Sequence, residues 1–135
     1  MLLPAMLARQ RARRVGAEDA IFIRDGFVTE ATAANVFAVF DGQPVTPPLS
    51  NYLLPGVTRE ALLELYTREG IAYREEPIDA ERLLAAEELF LTSTNGELRP
   101  IVQLDGRPVG GGKVGGLFER TLALFDAATR QLAPV

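Results

Sequence analysis

Residues 20–46 read AIFIRDGFVTEATAANVFAVFDGQPVT, and the spacing of turns in this stretch decides the fold. Its apolar runs are separated by Asp25-Gly26 and Asp41-Gly42, and Asp-Gly pairs tolerate the positive φ angles that two-residue hairpin loops require. A third pair follows at Asp105-Gly106. Two-residue hairpins join antiparallel strands, whereas parallel strands need long crossover connections. Three hairpin turns in 135 residues therefore predict an antiparallel or mixed sheet.

Apolar residues at helical spacing predict helices around these strands. The predicted helices cover residues 4–15, 58–69, 79–87 and 117–132, and Asp79 is the expected N-cap of the third. Residues 89–91 predict a buried strand, residues 72–78 an edge strand, and the glycines at 110–112 a flexible joint. We therefore expect an α+β fold with a mixed, largely antiparallel, barrel-like sheet flanked by helices, in a single domain over residues 1–135.

The composition excludes several classes of function. The chain has no cysteine and no histidine, which removes disulfides, thiolate nucleophiles, the commonest general base and the commonest zinc ligand. We therefore expect no metal site. The net charge of −4 argues against a broad surface for nucleic acid or anionic lipid. No apolar run has the length of a membrane span, so we expect no membrane partner, and the charge leads us to expect no nucleic-acid partner. The absence of cysteine fits a cytoplasmic protein.

A carboxylate lies among small residues between two of the predicted strands. Val28-Thr29-Glu30 leads into Ala31-Thr32-Ala33-Ala34 and then Asn35. Small side chains in an extended segment let a ligand or a second chain approach the backbone closely, which makes Glu30 a candidate binding residue. The ordinary alternative is a turn rich in alanine and threonine within a sheet.

Two later segments are candidate anion sites. In Leu54-Pro55-Gly56-Val57-Thr58-Arg59 a glycine precedes a predicted helix, whose first N–H groups and dipole favour an anion, and the Thr58 hydroxyl is a further donor. Three hydroxyl residues, Thr92, Ser93 and Thr94, follow the buried strand. The ordinary alternatives are a helix N-cap at Thr58 and a polar loop after the strand.

The order of these residues resembles the class IV aminotransferases. These are the fold type IV pyridoxal-phosphate enzymes, which include D-amino-acid and branched-chain aminotransferases and aminodeoxychorismate lyase. The matching positions are Glu30, Thr32, Asn35-Val36-Phe37, Thr46, the segment 54–59 and Leu91-Thr92-Ser93-Thr94. The resemblance spans nearly the whole chain, from residue 2 to residue 132, and the combination is far more specific than any of its parts. Pro44 departs from the pattern, since the family usually has an aliphatic residue there.

The resemblance implies an aminotransferase that moves an amino group between an amino acid and a 2-oxo acid, with pyridoxal 5′-phosphate as cofactor and a homodimeric assembly. It implies that Glu30 contacts the pyridine nitrogen of the cofactor and that Leu54 packs on the face of the pyridine ring. It assigns the phosphate to two pairs of residues, Val57 with Thr58 and Ser93 with Thr94.

The resemblance places the family's Schiff-base lysine just before Met1. The only lysine in the sequence is Lys113, far along the chain from Glu30. We therefore expect the C-terminal, cofactor-binding domain of such an enzyme without its small N-terminal domain, with no catalytic residue of its own and no activity in isolation. Two alternatives stay open, namely a non-catalytic binding or assembly module with the family fold, and aminodeoxychorismate lyase chemistry.

Overall fold

The computed structural model describes residues 2–32, 34–50, 56–93 and 95–130. The helices and strands in these residues follow one another in the order α1 Leu2–Arg14, β1 Ile21–Arg24, β2 Phe27–Ala31, β3 Ala34–Phe40, β4 Gln43–Thr46, α2 Val57–Arg68, β5 Arg74–Glu75, α3 Ala80–Leu84, β6 Glu88–Ser93, β7 Leu98–Ile101, β8 Gln103–Leu104, β9 Arg107–Pro108 and α4 Gly116–Arg130. All four predicted helices are present. The predicted edge strand is reduced to the two residues of β5, and α3 is shorter than expected.

The three Asp-Gly turns form as predicted. The φ angles are 52° and 84° at Asp25-Gly26, 52° and 74° at Asp41-Gly42, and 50° and 77° at Asp105-Gly106. Positive φ at both central residues defines the type I′ turn, whose twist matches that of the strands it joins. The first two turns join strands of the main sheet, and the third joins β8 to β9 in a separate two-stranded ribbon.

Strand β3 is the centre of a seven-stranded sheet. β6 pairs antiparallel with β3 from Ala34 to Val39, β4 pairs with its last three residues, and β2 pairs with Ala34. β1 pairs with β2, β7 with β6, and β5 runs parallel to β4. The mixed, largely antiparallel α+β fold is thereby confirmed.

The expectation of a barrel-like sheet was wrong, because the sheet is open. Within the described residues β1, β5 and β7 each pair with a single strand of the sheet. β5 is two residues long, and β7 contains Pro100, which has no N–H to donate to a further strand. The sequence did not predict β7, since Arg99 and Pro100 interrupt its apolar pattern.

The two faces of the sheet bury separate apolar clusters, because successive strand residues point to opposite sides. Phe37, Val39 and Phe90 lie on the face that packs against α2 and α4, which we call the helix face. The Phe37 and Phe90 rings stack with their centroids 5.3 Å apart. The opposite face packs against α3 and carries Val36, Ala38, Leu89 and Leu91.

The glycines expected to form a flexible joint are closely packed instead. Gly110 has a φ of 54°, and a Cβ at this position would overlap the carbonyl oxygen of Glu87. The Gly112 N–H donates to the Val109 carbonyl oxygen at 2.8 Å. Close approach of the backbone therefore explains Gly110 better than flexibility does.

In the described part of the chain, no helix has the length and apolar content needed to cross a membrane.

Candidate functional site

Glu30 lies in a β-bulge. The register of β1 and β2 shifts between residues 21 and 23 of β1, so Thr29 and Glu30 of β2 together stand opposite Phe22. A bulge bends its strand and changes the direction of a side chain, and bulges are frequent beside active sites. The sequence showed the carboxylate among small residues but not the bulge, which depends on the pairing of two strands.

A row of backbone pairs connects the bulged strand to the end of β6. Ala31 pairs with Ala34 of β3, and Ala34 pairs with Ser93 of β6. Neighbouring strands lie about 4.8 Å apart, so Ala31 and Ser93 are separated by about 10 Å. The fold therefore brings Glu30 and Ser93 to the same end of the sheet.

Helix α2 begins after a residue that has no side chain to cap it. Its N-cap is Gly56, with φ −82° and ψ 142° and no side-chain capping hydrogen bond. Thr58, an N-cap candidate in the sequence, lies inside the first turn with 4% of its surface exposed, whereas Val57 is 80% exposed. The first N–H groups of a helix have no partner within the helix, so this turn presents donors at its open end.

The starts of α3 and α4 are occupied by carboxylates of the protein itself. Asp79 accepts a hydrogen bond from the Arg82 N–H at 2.6 Å, which confirms its predicted capping role. Glu88 accepts from the Leu117 and Phe118 N–H groups at 3.1 and 2.8 Å. These carboxylates satisfy both the N–H groups and the helix dipole. At the start of α2 the N-cap residue is Gly56, which has no side chain that could take this role.

The start of α2 is held against the sheet by close contact. A Cβ at Gly56 would overlap Oδ1 of the buried Asn35. Asn35 pairs across the sheet with Thr92, so their side chains share the helix face. The start of α2, the start of β3 and the end of β6 therefore meet at one place, beside the row that leads to Glu30.

Ser93 and Thr92 present their hydroxyl groups differently. The Ser93 hydroxyl is close to Asn95 Oδ1 and to the Glu97 carbonyl oxygen at 3.2 Å, and it accepts from the Glu97 N–H at 3.2 Å. Thr92 Oγ1 is buried and, within the described part of the chain, has no hydrogen-bond partner. A buried hydroxyl without a hydrogen bond costs about 1–3 kcal/mol, so a ligand or a water molecule that bonded Thr92 Oγ1 would remove this cost.

Arg59 is a residue that the sequence did not single out for a role of its own. It is fully buried in the first turn of α2, and one guanidinium nitrogen donates to the Pro47 carbonyl oxygen at 3.1 Å and to Glu75 at 2.7 Å. The other terminal nitrogen binds Glu60 at 2.5 Å. Pro47 follows β4 and Glu75 belongs to β5, so Arg59 fixes the first turn of α2 relative to that edge of the sheet.

Lys113 lies towards the other end of the sheet. It closely precedes α4, whose start is bound by Glu88 at the beginning of β6. β6 has six residues from Glu88 to Ser93, and a rise of about 3.3 Å per residue places the two Cα atoms about 17 Å apart. The fold therefore does not bring Lys113 to Glu30 and the start of α2.

Two predicted site residues, Leu54 and Thr94, lie outside the described residues. The described parts of the chain contain no group of three or more aspartate and glutamate side chains placed to hold a metal ion.

Comparison with known proteins assigns the chain to a family. The model of amino-transferase class IV matches residues 1–104, and the chain belongs to this family. It is 38% identical to D-alanine aminotransferase of Bacillus licheniformis over 116 residues, which cover 86% of this chain and 41% of that protein.

Two solved structures extend the comparison. Branched-chain amino acid aminotransferase from Escherichia coli has a TM-score of 0.89 and 35% identity, and the match covers 93% of this chain and 43% of that one. A structure named as a 4-amino-4-deoxychorismate lyase of Legionella pneumophila has a TM-score of 0.86 and 28% identity, with 93% and 47% covered. The chain spans less than half the length of these relatives.

The residues of the site suit a phosphorylated pyridine. The glycine at position 56 lets the backbone of α2 approach the sheet, the first turn of α2 presents N–H donors, and the buried Thr92 hydroxyl has no described partner. Glu30 places a carboxylate at the same end of the sheet. An anion fits the donors, and a protonated ring nitrogen fits the carboxylate.

Proposed function

We propose that this chain is the cofactor-binding part of a pyridoxal-phosphate-dependent aminotransferase, which moves an amino group between an amino acid and a 2-oxo acid. One observation carries the proposal. The start of α2, with its glycine N-cap, lies against Asn35 at the same end of the sheet as the bulge that holds Glu30. A carboxylate and an anion site at one end of the sheet suit a ligand with a basic ring nitrogen and a phosphate.

Glu30 acts on the ring nitrogen in this proposal. A nearby carboxylate favours the protonated form of a pyridine, so Glu30 holds a proton at that nitrogen. When bound, the cofactor supplies an electron sink for the bond that breaks at the α-carbon of the substrate. The bulge at Thr29 and Glu30 is the feature of the backbone that aims this carboxylate.

The phosphate is assigned to the first turn of α2. Val57 and Thr58 contribute backbone N–H groups, and Thr58 also contributes its hydroxyl, which is shielded from water by burial. The family resemblance assigns Ser93 and Thr94 to the phosphate and Leu54 to the face of the ring. Strand alternation puts the Ser93 side chain on the sheet face opposite to Thr92 and α2. Both the hydroxyl and the N–H of Ser93 are already hydrogen-bonded to Glu97 in this loop.

We assign the catalytic lysine to a segment that would precede Met1. The position of Lys113, near the end of the sheet that carries Glu88, supports this assignment. A lysine codon a few positions upstream of Met1 in the gene agrees with it, and transamination by the chain alone contradicts it. A homodimer is part of the same proposal and is measured by sedimentation at several protein concentrations.

Aminodeoxychorismate lyase is the second candidate, supported by the structural similarity to the protein of that name. The same cofactor site serves both reactions, so binding measurements cannot separate them. Incubating the complete enzyme with 4-amino-4-deoxychorismate, or with an amino acid and a 2-oxo acid, and identifying the products distinguishes the two.

A pair of ligands tests the phosphate site. Pyridoxamine 5′-phosphate and pyridoxamine differ only in the phosphate, and neither has an aldehyde that would react with Lys113. Thr58→Val removes the hydroxyl and keeps the shape of the side chain. We expect about 10- to 100-fold weaker binding of the phosphate ester in calorimetry, since a hydrogen bond to a charged group contributes about 1.5–3 kcal/mol. Binding of pyridoxamine should not change.

Thr67→Val is the matched control, because it makes the same chemical change in the last turn of α2, where the hydroxyl donates to the Leu63 carbonyl oxygen at 3.0 Å. Thr67→Val should leave the affinities for both ligands unchanged, whereas Glu30→Gln should weaken the binding of both. Two results would overturn the proposed site. One is an equal loss of affinity for pyridoxamine 5′-phosphate in Thr58→Val and Thr67→Val, and the other is equal affinity of the unmodified chain for pyridoxamine 5′-phosphate and pyridoxamine.

A further inference from the structure

We propose that Asp19 is a positioning residue for Glu30 and acts through the turn between β2 and β3. This inference rests on the proposed function, in which Glu30 meets the ring nitrogen of the cofactor. Asp19 lies in the segment between α1 and β1, and nothing in its sequence surroundings marks it as part of a site.

Asp19 binds the turn directly. One carboxylate oxygen, Oδ1, accepts hydrogen bonds from the Thr32 hydroxyl, from the Thr32 N–H at 3.3 Å and from the Ala20 N–H at 2.7 Å. The other oxygen binds the Arg99 guanidinium at 2.8 Å. Only 11% of the Asp19 side chain is exposed, so this ion pair is partly shielded from water.

Thr32 is the point where this network reaches the site. It is buried, it follows Glu30 by two residues, and it comes directly after Ala31, which begins the row of pairs across the sheet. In a bulge the extra residue is left out of regular pairing, so the direction of Glu30 depends on how the strand is held on either side. Asp19 holds the side towards β3.

Arg99 connects the same network to the far side of the sheet. It lies on β7 opposite Leu91 of β6, the strand that ends at Ser93. Asp19 therefore joins three segments, namely the entry to β1, the turn that follows Glu30, and β7. Hydrogen bonds to an ionised carboxylate are stronger than those between neutral groups, so the charge of Asp19 matters as well as its shape.

Two pairs of variants separate this role from a general effect on folding. Asp19→Asn removes the charge and keeps the size, and Asp25→Asn makes the same change in the β1–β2 turn. Thr32→Val removes the hydroxyl that binds Asp19, whereas Thr32→Ser keeps it. The ligands are pyridoxamine 5′-phosphate and its analogue with carbon in place of the ring nitrogen.

The affinity ratio between these two ligands measures the contact of Glu30 with the nitrogen. We expect Asp19→Asn and Thr32→Val to reduce this ratio about tenfold, which corresponds to about 1.4 kcal/mol, with the affinity for the carbon analogue unchanged. Thr32→Ser and Asp25→Asn should keep the ratio of the unmodified chain. If Asp19→Asn weakened the binding of both ligands equally, the positioning role would be overturned.

Amide hydrogen exchange makes the test independent of the cofactor. Asp19→Asn should accelerate exchange of the Thr32 N–H and shift the amide resonance of Glu30, and Asp25→Asn should do neither. If the unmodified chain shows no preference for the nitrogen ligand, the proposed function fails, and exchange alone then decides the positioning role. Unchanged exchange at Thr32 in Asp19→Asn would contradict that role even if the cofactor binds.

Discussion

Replacing Gly56 by alanine tests how the start of α2 is held against the sheet. The added Cβ would overlap Asn35 Oδ1 and lie 3.9 Å from the Arg59 Cβ. The φ of −82° suits any residue, so backbone strain does not contribute. Glycine-to-alanine changes at unstrained positions gain about 0.4–1 kcal/mol, and overpacking costs about 1–3 kcal/mol, so we expect a net loss of about 1–2 kcal/mol in the free energy of unfolding.

A double-mutant cycle identifies the contact responsible. Urea unfolding of Gly56→Ala, Asn35→Ala and the double variant should give a coupling of about 1 kcal/mol, because removing the Asn35 side chain makes room for the new Cβ. Gly111→Ala is the control, since a Cβ at Gly111 meets nothing within 4 Å. It should be neutral or slightly stabilising.

The same variant should also weaken binding at the first turn of α2. A helix start displaced from Asn35 changes the position of its first N–H groups relative to the sheet, so Gly56→Ala should bind pyridoxamine 5′-phosphate less tightly than Gly111→Ala does. Two results would refute this reasoning. One is equal stability of Gly56→Ala and Gly111→Ala, and the other is strict additivity of the Gly56 and Asn35 changes.

Two further predictions concern Tyr66 and Arg59, which are buried residues of α2. Burial raises the pKa of Tyr66 from its ordinary 10.0 to about 12, although the hydrogen bond with Thr121 opposes this. The unfolded chain therefore releases this proton first, and about 2–3 kcal/mol of stability should be lost as the pH rises from 10 to 12. Urea unfolding across that range checks it, and Tyr66→Phe combined with Thr121→Val should remove this part of the pH dependence. Arg59→Ala should destabilise the chain by about 2–5 kcal/mol because it leaves a cavity. Arg59→Met fills most of this space and should recover the greater part of the lost stability, because the freed Glu60 and Glu75 carboxylates reach water. Thermal unfolding of the two variants measures the difference. Equal losses in the two variants would show that the ion pairs, and not the filled volume, stabilise this position.

Much of the fold could be predicted because its signals are local. Asp-Gly pairs set positive φ within two residues, Asp79 caps the helix that begins beside it, and the apolar spacing of α2 and α4 repeats within a few turns. The identities of Glu30, Val57, Thr58 and Ser93 as candidate site residues came from their order along the chain. The cofactor contacts assigned to them stay predictions.

Other features depend on contacts between distant parts of the chain. The open sheet and β7 arise from pairing with β6, and the apolar residues of β3 are buried on both faces, so their sequence does not show which face each one takes. Asp19 and Arg99 are 80 positions apart, and no spacing rule connects them.

The sequence by itself determined the hairpins, the helices and the candidate residues, because turn chemistry, capping and periodicity act over a few residues. Only the tertiary structure decided the bulge at Glu30 and the approach of Gly56 to Asn35. It also decided that Lys113 lies far from Glu30 and from the start of α2. These features result from strand register and close packing, which are settled when the whole sheet and its helices assemble.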